Sequence, residues 1–188
     1  MSLRRGFKAS ANRLSLRLRR GQDCLPHAPI DLEIIAARLE IEIAPLSAFA
    51  EESPEAVQQL SIIDSEAFSA TTIRFDTGKR IIIHNDSHHP LRQRSNLSHE
   101  ISHILLGHPF TYPIDSTGCR NHDRDLEDEA NWLGPAILIS DEAALHIVRQ
   151  GMDEQSASTH YGVSLPVLRM RINGSGARIR HSRSRYSN

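Results

Sequence analysis

Hydrophobic residues spaced three and four positions apart predict several amphipathic helices along the chain. One of these lies over residues 32–39, and residues 11–19 are also compatible with a short helix. A longer helix is expected to begin at Pro90, which suits a first helical turn, and to stop before Gly107. Further helices are predicted over residues 125–139, 141–149, 153–161 and 165–172.

Short runs of β-branched residues, bounded by turn-forming residues, predict strands between the first two helices. These runs occupy residues 41–44, 60–64, 70–75 and 80–84. Together the two sets of elements predict an α+β fold, in which a small antiparallel sheet packs on helices. A helix-turn-helix-like segment over residues 157–171 is expected to follow on the C-terminal side.

Composition narrows the class of protein but does not name a function. The chain has 188 residues, 39% of them hydrophobic, which is enough for the core of one domain. No apolar run reaches the length of a membrane helix, and the N-terminus lacks the apolar stretch of a secretory signal. These observations predict a cytoplasmic protein without a membrane partner. Cys24 and Cys119 are interpreted as ordinary free thiols.

The basic residues are concentrated at the two ends of the chain, although the net charge is only −1. Residues 1–22 hold seven basic residues and no acid, and residues 174–188 hold four and no acid. Such ends could contact a nucleic acid. We favour a basic N-terminal extension and a disordered basic tail that are both simply solvated.

One short motif carries the chemistry. His99 and His103 are four residues apart on the helix expected from Pro90, so both imidazoles project from one face and can reach a single cation. Glu100 lies one position further round the helix, where it can act as a general base toward the attacking water. This pattern predicts a zinc-dependent hydrolase in which the two histidines are metal ligands and Glu100 is catalytic.

A third ligand is needed, and the next helix offers carboxylates. Its buried face is predicted from Leu126, Ala130, Leu133 and Ile137, and Glu129 flanks that face. We therefore prefer Glu129 as the third ligand, with Glu127 or His108 as the alternatives. Acidic residues in the first turn of a helix also interact favourably with the helix dipole. That interaction alone accounts for the presence of Asp125 and Glu127, with no metal needed.

The sequence around these residues resembles the ImmA/IrrE-type metallopeptidases over about residues 10–172. The resemblance rests on PIDLE at 29–33, LSHEISHILL at 97–106, EDEANWL at 127–133 and the segment 157–171. It implies a gluzincin-like α+β core with a zincin-like active-site helix, a zinc ion, His99, His103 and Glu129 as its ligands, and Glu100 as the catalytic residue. It also implies a protein substrate, namely a helix-turn-helix transcriptional repressor.

The chain departs from the family pattern at a few positions. Ser102 stands where the family usually has Gly, and Leu-Gly-Pro at 133–135 replaces Phe-Ala-Ala. We expect these changes to affect the fit of the substrate more than metal binding. Asn131 is a candidate for orienting a ligand histidine, and His160 and Tyr161 are candidates for stabilising the oxyanion.

Two other functions remain open at this point. A non-proteolytic regulatory module could keep the metal site and act by binding a repressor or DNA, and a structural zinc site would leave Glu100 without a role.

For the hydrolase we predict four parts: a basic extension (1–22), a zinc metallopeptidase core (23–140), a helical segment packed on that core (141–173) and a basic disordered tail (174–188).

Overall fold

The computed structural model describes residues 3–109 and 123–186, and over them the α+β fold expected from the sequence is confirmed. The elements follow in the order α1 (Phe7–Gly21), α2 (Leu32–Arg38), β1 (Ile41–Pro45), α3 (Pro54–Gln58), β2 (Ala70–Arg74), β3 (Arg80–His84), α4 (Pro90–Leu106), α5 (Arg124–Leu138), α6 (Asp141–Arg149), α7 (Glu154–Tyr161), α8 (Leu165–Gly174) and α9 (Ala177–Tyr186). No helix within these described ranges is both long enough and apolar enough to cross a bilayer.

The chain divides into two compact units. The first comprises the residues up to Arg4 and Leu32–Asn131, and the second comprises Arg5–Asp31 and the residues from Trp132 onwards. Helix α5 contributes to both units. The functional parts predicted from the sequence follow different boundaries, and that functional division stays a prediction.

The three strands of the first unit form a mixed sheet in the order β1-β3-β2. β2 and β3 are antiparallel, with Ala70 opposite His84, whereas β1 and β3 are parallel, with Ile41 opposite Arg80. The antiparallel sheet expected from the sequence is thus confirmed for β2 and β3, whereas β1 joins it in parallel. The chain leaves β1 and returns to β3 through a long connection that contains β2, and such a connection permits parallel pairing.

The strand predicted over residues 60–64 is also wrong. Residues Gln59–Ile63 form a π-helical turn that directly follows α3. Ile62 and Ile63 are largely exposed there, so they do not contribute the buried face that their β-branched side chains indicated. The composition of residues 60–64 favours a strand, but in the structure this run is not paired with the sheet.

Helix α4 has the bounds that the sequence predicted, from Pro90 to Leu106. Its N-cap is His89, whose Nδ1 accepts a hydrogen bond from the backbone N–H of Leu91. Gly107 ends the helix with a φ of +68°, a conformation that favours glycine. The helix packs against β2 and β3 and so holds its other face away from the sheet.

The face that α4 buries consists of Ser98, Ile101 and Ser102. Small serines at this contact let the helix approach its neighbours closely. Ser102 is fully buried, and its hydroxyl donates to the carbonyl of Ser98 at 2.7 Å. Serine can therefore replace the family's glycine here, because it is small and its hydroxyl is satisfied within the helix.

In the second unit, the N-terminal basic segment is mostly a packed helix. α1 buries Phe7, Ala11, Ser15 and Arg19, which recur every fourth residue. The Arg19 guanidinium donates to the Leu138 carbonyl at 3.0 Å, and burial lowers the pKa of this side chain to about 10. The predicted solvated extension is thus wrong for Phe7–Gly21.

The predicted disordered tail is likewise wrong for Ala177–Tyr186, which form α9. Ala177 is completely buried, and the helix packs against α6 and α8. Helix-turn-helix segments often bind DNA through basic side chains, but the two arginines within residues 157–171 are ion-paired with acidic residues of this chain. Arg171 is buried and pairs with Asp141 at 2.6 Å, and Arg169 pairs with Glu154 at 2.7 Å.

Candidate metal centre

Three side chains of the first unit lie close enough together to be ligands of one metal ion. The Nε2 atoms of His99 and His103 lie 3.0 Å apart. Glu127 reaches both rings, with Oε2 at 3.4 Å from His99 Nε2 and Oε1 at 3.5 Å from His103 Nε2. One donor atom from each of the three residues lies within 4.8 Å of the others, which is the spacing that one cation requires.

Two helices supply these donors. The four-residue spacing of His99 and His103 places both rings on the face of α4 that is turned away from the buried serines. Glu127 comes from the first turn of α5. The carboxylate is thus far from the histidines in sequence but close to them in the folded chain.

The donor set fits zinc. A tetrahedral zinc site with bonds of roughly 2.0–2.1 Å to nitrogen and oxygen separates its ligand atoms by about 3.3–3.4 Å. The three measured separations, 3.0, 3.4 and 3.5 Å, bracket this value. The side chains of His99, His103 and Glu127 are 26, 21 and 30% exposed, so the group is open to solvent on one side. Three protein donors with an open side are typical of a catalytic rather than a structural zinc site.

Glu129, the carboxylate preferred from the sequence, does not belong to this group. Its Oε1 lies 2.9 Å from Nε of Arg4, and its Oε2 lies 3.4 Å from Nε2 of His108. His108 in turn places its Nδ1 2.9 Å from Nδ1 of His103. The structure therefore brings the alternative ligand Glu127 to the histidine pair and keeps Glu129 and His108 behind it.

Glu100 is fixed by a hydrogen bond from the sheet. The hydroxyl of Thr72, on β2, donates to Glu100 Oε2 at 2.7 Å. Burial raises the pKa of Glu100, while the hydrogen bond from Thr72 and the charge of His99 oppose that change. A carboxylate with a raised pKa is a better proton acceptor, as a general base requires. No pattern in the sequence indicates this role for Thr72.

His99 is held by two residues of α5. Burial disfavours a charge on its ring, but the hydrogen bond that the ring donates to Glu127 and the charges of Glu100 and Glu127 outweigh burial and raise the pKa of His99. Asn131 adds a side-chain hydrogen bond to the same ring. This is the orienting contact for which the sequence made Asn131 a candidate.

The two candidates for oxyanion stabilisation belong to the second unit. The hydroxyl of Tyr161 donates to the carbonyl of His27 at 2.8 Å, and burial raises the pKa of this phenol. The ring of His160 meets the edge of Tyr161, with 4.8 Å between the centroids. The Tyr161 hydroxyl is thus engaged within its own unit. Cys119 and His122 lie outside the described residues.

The fold and the donor group together define a metallopeptidase-like protein. A family model described as the IrrE N-terminal-like domain, of the M78 peptidases, matches residues 48–173. The chain belongs to this family, and the resemblance stated from its motifs is confirmed. The match includes α4, α5 and the helices to α8, but not residues 29–33, on which the resemblance also rested. No match was found among curated proteins.

Proposed function

We propose that this protein is a zinc-dependent metallo-endopeptidase whose metal is held by His99, His103 and Glu127. The observation that carries the proposal is the convergence of these three donors, with Glu100 beside them on α4. Membership of the M78 peptidase family supports the same class of reaction. A structural zinc site is disfavoured, because the donors are partly exposed and include no cysteine.

When bound, zinc supplies a Lewis acid that makes water acidic and polarises the scissile carbonyl. Glu100 accepts the proton of the attacking water and delivers it to the leaving amine. Thr72 holds one oxygen of the Glu100 carboxylate, which limits the rotation of this side chain. Asn131 restricts the His99 ring in the same way.

The substrate that we propose is a protein, namely a helix-turn-helix transcriptional repressor, and the reaction is placed in the cytoplasm. Support for the repressor comes from the family resemblance alone. The alternative, a regulatory module that binds a repressor or DNA without cleaving it, keeps the same metal site. The two functions differ only in whether Glu100 must transfer a proton.

The test is therefore the substitution Glu100→Gln, compared with wild type and with Glu55→Gln, an exposed glutamate on α3. Each purified protein is incubated with a host-cell extract, and newly formed N-termini are identified by chemical labelling and mass spectrometry. We expect wild type and Glu55→Gln to create the same new N-termini. Glu100→Gln should create none while keeping its zinc, because the amide cannot accept the proton.

Two results would contradict the proposal. One is cleavage by Glu100→Gln at the wild-type rate, which would exclude this carboxylate as the base. The other is a wild-type protein that binds no zinc. If Glu100→Gln lost cleavage but kept its effect on repressor-controlled genes in cells, the binding module would be the better description.

A further inference from the structure

Behind the candidate metal ligands lies a chain of polar contacts that metal binding alone does not explain. It begins at Nδ1 of His103, the ring nitrogen on the side away from the donor group. This atom lies 2.9 Å from Nδ1 of His108. His108 Nε2 lies 3.4 Å from Glu129 Oε2, and the other oxygen of Glu129 lies 2.9 Å from Arg4 Nε.

Only one arrangement of ring hydrogens is compatible with both the contacts and metal binding. His103 must present a bare Nε2 to a cation, so the hydrogen of its neutral ring lies on Nδ1. That N–H donates to Nδ1 of His108, which must then be bare. The hydrogen of His108 consequently lies on Nε2 and points to the Glu129 carboxylate, which accepts it.

The backbone delivers His108 to this position. Gly107, with its positive φ, turns the chain back at the end of α4. The N–H of His108 then donates to the carbonyl of His103 at 3.0 Å, closing the helix in a Schellman-type turn. The side chain of His108 is only 5% exposed, and that of Glu129 is 12% exposed. Both groups are therefore ordered by packing as well as by their hydrogen bonds.

Arg4 contributes less than the other members of the chain. Its side chain is 68% exposed, and ion pairs in such exposed positions contribute little to stability. Glu129, by contrast, is a largely buried carboxylate facing an N–H of a buried imidazole. The contacts that matter for His103 are thus those of His108 and Glu129.

We propose that His108 is a positioning residue for the metal ligand His103, and that Glu129 holds His108 in the tautomer that this role requires. The inference rests on the proposed metal site. It gives Glu129 a function without making it a ligand, since its negative charge acts on His103 through the ring of His108. Outer partners of this kind raise the affinity of a site by orienting the ligand ring and fixing its tautomer.

The test compares two substitutions of similar size, His108→Leu and His108→Asn. The amide oxygen of asparagine occupies nearly the place of Nδ1 and can still accept from His103, whereas leucine cannot. Zinc affinity is measured by competition with a chromophoric chelator. We expect His108→Leu to bind zinc about tenfold more weakly than wild type, and His108→Asn to stay within about threefold.

A second measurement needs no metal. Long-range 15N–1H correlation spectra of the zinc-free wild-type protein report which ring nitrogen of His103 carries the hydrogen. We expect it on Nδ1 of His103 and on Nε2 of His108. In His108→Leu the His103 ring should shift toward the other tautomer, which a loss of packing alone would not cause.

Three outcomes would overturn the inference. They are a His103 hydrogen on Nε2 in the zinc-free wild type, unchanged zinc affinity in His108→Leu, and an equal loss of affinity in both variants, which would indicate packing only. Failure of the proposed function is a separate result. A protein that binds zinc but cleaves nothing would leave both measurements intact, and a wild type without zinc affinity would exclude the peptidase directly.

Discussion

Replacing Glu127 is the most direct test of which carboxylate completes the metal centre. In Glu127→Gln the carboxylate, whose two oxygens lie 3.4 Å from His99 Nε2 and 3.5 Å from His103 Nε2, becomes a neutral amide. In the matched substitution Glu129→Gln, the amide oxygen can still accept the hydrogen bond of His108. We expect the first change to abolish most zinc binding and the second to leave most of it.

The size of the effect follows from linkage. Substituting an outer partner of a metal ligand costs about 10–100-fold in affinity, so loss of a charged ligand should cost at least about 100-fold. At a free zinc concentration 100 times the wild-type Kd, binding stabilises the folded protein by about 2.7 kcal/mol. A 100-fold weaker site retains only about 0.4 kcal/mol under the same conditions.

Thermal unfolding with and without zinc measures this difference. In a protein of this length 1 kcal/mol corresponds to roughly 2–4 °C, so we expect zinc to raise the wild-type Tm by about 5–11 °C. The corresponding rise should be only about 1–2 °C in Glu127→Gln. Asp125→Asn, an exposed change on the same helix, should behave like wild type. A full zinc response in Glu127→Gln together with a lost response in Glu129→Gln would refute the assignment of Glu127.

Two further predictions concern the sheet side of the first unit. Thr72→Val removes the hydroxyl that donates to Glu100. We expect about tenfold slower cleavage with unchanged zinc affinity, since a lost hydrogen bond to a charged group costs about 1.5–3 kcal/mol. A loss of zinc affinity as large as the loss of cleavage rate would contradict this role. Burial raises the pKa of Asp86, but hydrogen bonds from the hydroxyl and backbone N–H of Ser47 outweigh burial and lower that pKa. The stability that these hydrogen bonds contribute is present above about pH 4 and is lost as the pH falls through the folded-state pKa of Asp86. In urea unfolding we expect Asp86→Asn to be about 1 kcal/mol less stable than wild type at pH 7, and nearly as stable as wild type in strong acid. A deficit that persists unchanged at low pH would contradict it.

The active-site helix could be predicted from the sequence because its signals are local. Pro90 and Gly107 mark its ends, and the histidine spacing marks the face that carries the candidate ligands. The pairing of the strands was harder to predict, since it depends on residues far apart in the chain. Nothing within residues 41–45 indicates that β1 will lie parallel to β3. The run at 60–64 likewise does not indicate that it will form a helical turn and not a strand.

The predictions of a solvated N-terminal extension and a disordered tail are wrong because a high density of basic residues does not require that these residues be exposed. α1 buries Arg19, whose guanidinium donates to backbone carbonyls, including that of Leu138 at the end of α5. Ser15 donates to the Ala136 carbonyl in the same way at 2.6 Å. The last carbonyls of a helix have no partner within it, so buried donors from α1 are favourable there. An arginine can thus be a core residue when helix ends supply its acceptors.

The choice between the two carboxylates on α5 could not be made from periodicity. At 100° per residue, Glu127 lies about 90° to one side of the buried stripe, and Glu129 lies about 70° to the other side. The two positions are nearly equivalent until the side on which α4 packs is known, and that depends on tertiary structure. Glu127 shares its side with Asn131, four residues later, and both contact His99. The pairing of a carboxylate with a polar residue one turn on, both facing His99, is the feature that separates Glu127, the proposed ligand, from Glu129, the proposed supporting carboxylate.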